Sequence, residues 1–385
     1  MTVDQSAPIY LDYNATTPLD PKVQAAMLPY VQGRFGNPSS GHWYGVKEKE
    51  AVNKARADVA ALVGADPEEI IFTSGGTESV NWAIKSTAER LMASKGRHMI
   101  TSEVEHVVVL ECAKYLEEVH GFEITRVPVD RTGRVEPGAV ESAIRGDTVL
   151  VSIMHANNET GSLNDIAAIA KTCNAKGVLF HTDASQSVGK VDIDLKAVSA
   201  DLLTIAGHKL YAPAGVGALF VRKGTVLPRW MHGAGHEGGR RAGTENVMHL
   251  VALGTACAVC KEGGSALQEH LKAMRELLHK HLSEAIPDIT LNGHPEERLP
   301  NTLNISLPTW APTSHVVLAA VGGQVAASAG SACHADQLHI SHVLKAMGVD
   351  KDRGVRALRF STGRDTTPEK VQAAAAAIAA AVGSK

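Results

Sequence analysis

Between residues 69 and 222, short apolar runs rich in β-branched residues alternate with stretches of helical pattern. No other feature limits the possible folds of this chain as strongly. The runs are EIIFT (69–73), HMITS (98–102), EITRVPV (123–129), TVLVSIMH (148–155), GVLFHTD (177–183), DLLTIA (201–206) and GALFVR (217–222). SVNWAIKSTAERLM, VVVLECAKYLEEVH and DIAAIAKTCNAKG, lying between them, read as helices. This order predicts an α/β fold with a mostly parallel seven-stranded sheet covered by helices. In open α/β sheets ligands lie beyond the carboxyl ends of the strands, so the polar residues that follow each run are where chemistry is expected.

From about residue 266 the pattern changes. A charged amphipathic helix (ALQEHLKAMRELLHKHLSEA) leads to the strand NTLNISL, a cysteine-bearing turn, the helix ISHVLKAMG, the strand ALRFST and an alanine-rich terminal helix. Without regular βα alternation, this part predicts a smaller α+β domain. A chain of 385 residues is too long for one small core. The expected division is a large domain over 21–260 and a small one formed by 1–20 and 261–385, the latter carrying Cys333.

The net charge is −3 and acidic and basic residues are interspersed, so no basic footprint for nucleic acid or an anionic membrane appears. The N-terminus lacks the charged start and apolar run of a secretory signal, and no run of about 18 apolar residues occurs, which predicts a soluble cytoplasmic protein. The five cysteines are odd in number and scattered, arguing against a disulfide framework. Cys257 and Cys260 form a CxxC inside the apolar stretch LVALGTACAVCKEG, where buried packing is the commoner fate. None of the 18 histidines falls into a zinc-ligand spacing, so no metal is expected. Small-molecule chemistry remains.

In TIAGHKLYAPAGVG, Lys209 follows a strand and is flanked by small residues and Tyr211. A lysine in such a pocket loses proton affinity and forms an imine with a carbonyl cofactor, although a solvated loop lysine is the commoner outcome for one residue alone. Asp183 stands at a strand end 26 residues earlier. A carboxylate there suits the pyridinium nitrogen of pyridoxal phosphate. In IIFTSGGTES, Gly75 and Gly76 leave backbone amides open and Thr77 opens a helix, an arrangement suited to phosphate. It matches neither the P-loop nor the dinucleotide-binding glycine pattern. Phosphate cup, carboxylate and lysine together point to pyridoxal 5′-phosphate.

Eleven ordered stretches carry a more specific likeness: LDYNATTP, GNPSS, IIFTSGGTES, SEVEH, ANNETG, HTDASQSVGK, GHKLYAPAGVG, RRAGTEN, RLPNTLNIS, GSAC and LRFSTGR. Over essentially its whole length the chain resembles the NifS-like cysteine desulfurases, class V members of the fold-type-I pyridoxal phosphate enzymes. The resemblance implies that Lys209 binds the cofactor aldehyde as an imine, that Asp183 pairs with the ring nitrogen and that Gln186 contacts the phenolic oxygen. It places His106 against the ring face, with a part in proton transfer, and Asn158 near the cofactor and the substrate amine. Gly76, Thr77 and His208 belong to the phosphate set. Position 206 is Ala206 where many relatives carry serine, which leaves one phosphate hydrogen bond in doubt. Thr244 resembles a residue that reaches the neighbouring subunit's phosphate, implying a homodimer with shared active sites.

Arg359 matches the arginine that clamps the substrate carboxylate, a planar anion suited to its bidentate fork. Arg356 and Arg364 are the alternatives if the register slips. Asn14 and Thr16 border the substrate entrance in the family. Cys333, alone among small residues, reads in isolation as filler. Within the resemblance it is the nucleophile that takes sulfur from L-cysteine as a persulfide, releasing L-alanine and passing the sulfur to an acceptor or scaffold protein. The tract SACH, with His334 after the cysteine, resembles selenocysteine lyases, so release of selenide from L-selenocysteine is the alternative. The residues do not specify the pathway that receives the sulfur. An aminotransferase is disfavoured because GSAC has no job in one.

Overall fold

The computed structural model describes residues 7–329, 331–334 and 337–383, with the side chains of 331–339 outside the description. A short strand, β1 (Ile9–Tyr10), leads the chain. The central sheet contains β2 (Ile70–Thr73), β3 (His98–Ser102), β4 (Glu123–Val127), β5 (Thr148–Ser152), β6 (Leu179–Asp183), β7 (Leu202–Ala206) and β8 (Gly217–Val221). Their order is β2-β8-β7-β6-β5-β3-β4, and all seven predicted runs are present in it. Five consecutive strands, β7 to β4, pair in parallel, while β8 runs antiparallel to both of its neighbours. Every residue of β2, β3, β5, β7 and β8 is buried, as expected of a sheet covered by helices on both faces.

Two runs end two or more residues earlier than their sequence suggests. EITRVPV leaves the sheet at Val127, before Pro128, which has no N–H to donate to a ladder. TVLVSIMH leaves it at Ser152, and the Met154 N–H turns to the Glu105 carboxyl at 3.0 and 3.1 Å. The helix after β2 starts at Gly76, one residue before the expected Thr77. It continues through a π turn at Trp82–Ser86 into Thr87–Leu91. The Trp82 indole is fully buried there and donates to Pro228 O at 2.8 Å.

The helix Val247–Ala285 joins two stretches that read separately in the sequence. It breaks at Gly264, whose φ of 44° and ψ of −137° lie outside the helical region. Before the break, Leu250, Leu253, Ala256 and Cys257 join the apolar core on the central sheet. After it, Met274, Leu278 and Leu282 join a second core with Leu11, Leu303, Ile305, Leu358 and Phe360. One 18-residue window of this helix is apolar enough on average to cross a bilayer by length and composition alone, although it is not an unbroken apolar run. Most of its apolar residues that are buried divide between the two cores. Cys112, Cys173, Cys257 and Cys260 are all free and buried, and burial pushes the first two up to about 11 and about 12 and raises the other pair.

The remaining strands are β9 (Thr290–Asn292), β10 (Thr302–Ser306), β11 (Val325–Ala326), β12 (Ser328–Ala329), β13 (Ser331–His334), β14 (Gln337–Ile340) and β15 (Ala357–Ser361). A four-stranded antiparallel sheet has the order β12-β15-β10-β9, and β11 pairs in parallel with β1. Cys333 was expected in a turn. Its backbone instead belongs to β13, paired with β14 so that Cys333 faces Leu338 across the ladder. The side chains of Cys333 and His334 lie outside the described residues.

Candidate active site

A cavity of about 430 Å³ opens at the carboxyl ends of the parallel strands. Five of the strands feed it: Gly76 and Thr77 follow β2, His106 follows β3, Asn158 follows β5, Asp183 to Gln186 end β6, and His208 and Lys209 follow β7. Asn14 enters from the start of the chain, and Arg359 reaches in from the middle of β15. Ten of the sequence-predicted site residues therefore share one cavity. Thr244 is exposed outside it, and the position of the Cys333 side chain is not described. A larger hollow of about 670 Å³, beside Lys49, Arg56, His236 and Arg240, contains none of the ten.

The Lys209 amine donates to the carbonyls of Asn14 at 2.5 Å and Ala15 at 2.7 Å. Burial, followed by the Arg359 charge, pushes its pKa down to about 8 against the opposing pull of Asp12 and Asp183. A lysine with so low a proton affinity is prepared to attack an aldehyde. Asp183 is buried, and its Oδ1 accepts from the Ser185 N–H at 2.9 Å. His106 caps the helix Val107–His120, its Nδ1 accepting from the Val108 N–H at 3.2 Å. That bond leaves the ring proton on Nε2. The ring stands open to the cavity, and desolvation there, chiefly, lowers its pKa.

One end of the cavity is shaped as a cup. A Cβ placed on Gly76 would come within 3.1 Å of Ser185 Oγ and 3.2 Å of Ala206 Cβ, so any larger residue would fill it. Thr77, Ser185 and His208 also line the cavity. His208 pairs with Thr16 Oγ1 at 3.2 Å. Burial, with Lys209 and Lys190 nearby, pushes it down to about 4, so it meets a ligand as a neutral donor or acceptor. The cup, the Asp183 carboxylate and the Lys209 amine fit the phosphate, ring nitrogen and aldehyde of pyridoxal 5′-phosphate.

Gln186 Nε2 donates to Asn14 O at 3.0 Å, while its Oε1 accepts from the Lys190 amine at 3.0 Å. Lys190 is fully enclosed, and desolvation pushes it down to about 7. Arg359 Nη2 donates to Asp12 Oδ1 at 2.8 Å and Ser328 Oγ at 3.0 Å, and Nη1 to Asn158 O at 3.2 Å. Its Nε is buried and has no hydrogen-bond partner among the described residues. Neither alternative arginine lines the cavity: Arg356 donates to Ala311 O and Asp352 O, and Arg364 pairs with Asp20. Asn14, expected at an entrance, is buried instead, its amide bonded to Thr302, Asn158 and Asn301.

Sequence reasoning missed four residues. Ser185 lines the cup, Lys190 bonds Gln186 and Asp12 pairs with Arg359. Buried Glu105 joins Ser102 Oγ at 2.6 Å to the Met154 N–H, fixing the loop that carries His106. The acidic and basic residues sit within quoted motifs, but only the fold shows what they touch.

A family model described as "Aminotransferase class-V" matches residues 9–374. "Cysteine desulfurase IscS" of Stutzerimonas stutzeri is 44% identical over 380 residues, covering 97% of this chain and 93% of its own. A solved structure described as "NIFS-LIKE PROTEIN" superposes with a TM-score of 0.90 at 34% identity, covering 97% of this chain and 98% of that one. Another, "SspA in complex with cysteine", gives 0.81 at 34% identity, covering 93% and 99%.

Proposed function

Because the chain belongs to the aminotransferase class-V family, whose members use pyridoxal 5′-phosphate, we propose that it is a cysteine desulfurase converting L-cysteine to L-alanine and taking the sulfur onto Cys333 as a persulfide. The carrying observation is the meeting in one cavity of a depressed lysine, a buried carboxylate and an arginine whose Nε has no partner among the described residues. Two curated or solved relatives named for cysteine favour that substrate over selenocysteine.

When bound, the cofactor supplies an aldehyde that takes amines as imines and a ring that withdraws electrons from the attached carbon. Lys209 holds that aldehyde and, once released from it, moves the proton at the substrate α-carbon. Asp183 keeps a proton on the ring nitrogen, and Gln186 Nε2 donates to the phenolic oxygen. His106 covers the ring face. Gly76, Thr77 and His208 hold the phosphate, and the Ser185 hydroxyl supplies a donor that Ala206 lacks. Arg359 receives the substrate carboxylate, with Asn158 beside the amine.

Cys333 follows Ser328, the ladder partner of Arg359, by five residues. The chain therefore keeps its backbone within about 18 Å of that of Ser328. The same proposal includes a homodimer in which Thr244 reaches the partner's phosphate, a protein sulfur acceptor and a cytoplasmic location. It also includes the division into 21–260 and 1–20 with 261–385, supported by the two apolar cores and the break at Gly264.

The test is to incubate purified holoenzyme with L-cysteine and, separately, with L-selenocysteine, measuring alanine, sulfide or selenide, and trapped persulfide in wild type and Cys333→Ala. Alanine and a persulfide that disappears in the variant are expected from cysteine. No alanine from cysteine sinks the desulfurase reading, and unchanged cysteine turnover in Cys333→Ala sinks the persulfide step.

A further inference from the structure

We propose that Asp12 is a built-in competitor for the carboxylate site on Arg359, holding half of the guanidinium fork between turnovers and yielding it to the amino acid. This rests on Arg359 being the carboxylate clamp. A planar carboxylate binds arginine through two adjacent N–H groups. Among the described residues, the one guanidinium nitrogen of Arg359 left without a partner is the buried Nε, and its neighbour along that edge of the fork is Nη2. Nη2 is already engaged by Asp12 Oδ1 at 2.8 Å. A carboxylate that satisfies Nε in a bidentate manner therefore meets Asp12 at the second position.

Asp12 has somewhere to remain when it yields. Ser328 Oγ donates to Asp12 Oδ2 at 2.9 Å, and Ser328 stands directly opposite Arg359 in the β12–β15 ladder. The backbone register thus keeps this holder beside the clamp. The Asp12 and Arg359 side chains are only 17% and 12% exposed, so solvent screens their attraction, and any repulsion from a second carboxylate, incompletely. The consequence concerns release. Cysteine and alanine carry the same α-carboxylate, and a clamp with no internal anion grips product as firmly as substrate. Asp12 weakens both grips and refills the fork as alanine departs.

Propionate, a carboxylate with neither amine nor thiol, is the probe. Its Kd is measured by calorimetry on holoenzyme of wild type, Asp12→Asn, Asp12→Ala and Arg359→Lys, with L-alanine titrated in parallel. Propionate and alanine should bind about tenfold more tightly to both Asp12 variants. In steady state KM for cysteine falls and kcat does not rise. Unchanged or weaker propionate binding in the Asp12 variants overturns the competitor even when Arg359→Lys weakens it, an outcome that leaves the clamp standing. Propionate binding untouched by Arg359→Lys removes the clamp and the competitor with it.

Discussion

The two sheets contribute chemistry in different ways. The central sheet delivers groups from the loops just past its strand ends, where backbone amides are released from the ladder: the Gly76 cup, His106, Asp183 and Lys209. The four-stranded sheet delivers Arg359 from mid-strand, where pairing with Asn304 on one side and Ser328 on the other sets the position of its backbone. Strand-end loops suit a cofactor bound at many points, phosphate above all. A mid-strand arginine suits one short anion whose place must not vary. The difference predicts that damage to the first region costs the cofactor, while damage to the second costs the substrate alone.

Lys209→Ala is the most severe way to probe this contrast. Turnover should fall by about a thousandfold or more, and the absorption band of the lysine-bound cofactor should vanish. A band that survives breaks the assignment. Arg359→Lys should lower kcat/KM by about a hundredfold, because a point charge cannot replace the fork, while leaving that band intact. Loss of cofactor in this variant would erase the distinction between the sheets.

A smaller effect is expected from pH. Cofactor addition to the apoenzyme requires the neutral Lys209 amine, whose pKa is about 8. The reconstitution rate, followed by absorbance, should therefore fall about tenfold per pH unit below that value and level off above it. A pH-independent rate contradicts the depressed lysine. Glu105→Gln should have the mildest effect. Burial raises the Glu105 carboxyl from 4.5 to about 8, so the folded protein keeps a proton there that the unfolded chain releases. Stability is thus lost as pH rises between those values. The variant should gain a degree or two in Tm over wild type between pH 5 and 8.5, and an unchanged gap contradicts this account.

The central sheet was legible because alternation of apolar runs with helices is a local pattern, and five of its strands are buried along their whole length. The cavity residues were legible because they directly follow those runs. Asp12 was not, since its partners Arg359 and Ser328 are more than three hundred residues away in sequence. Lys190 resembles a solvated charge in HTDASQSVGK, and only the fold shows it enclosed beneath Gln186. Pairing of β13 with β14 escaped the reading because GSACH lacks the β-branched residues that usually announce a strand. The helix through Gly264 reads as two because the apolar stretch LVALGTACAVCKEG gives way there to a charged amphipathic one, and a change of composition does not by itself end a helix.

The four buried thiols bear on the fate of stored sulfur. A persulfide migrates by thiolate attack, and the thiols of Cys112, Cys173, Cys257 and Cys260 are both shut away and held protonated by burial. Under the proposed mechanism, sulfur on Cys333 finds no competing acceptor among these four thiols within its own chain. Its residence time is set by whatever arrives from outside.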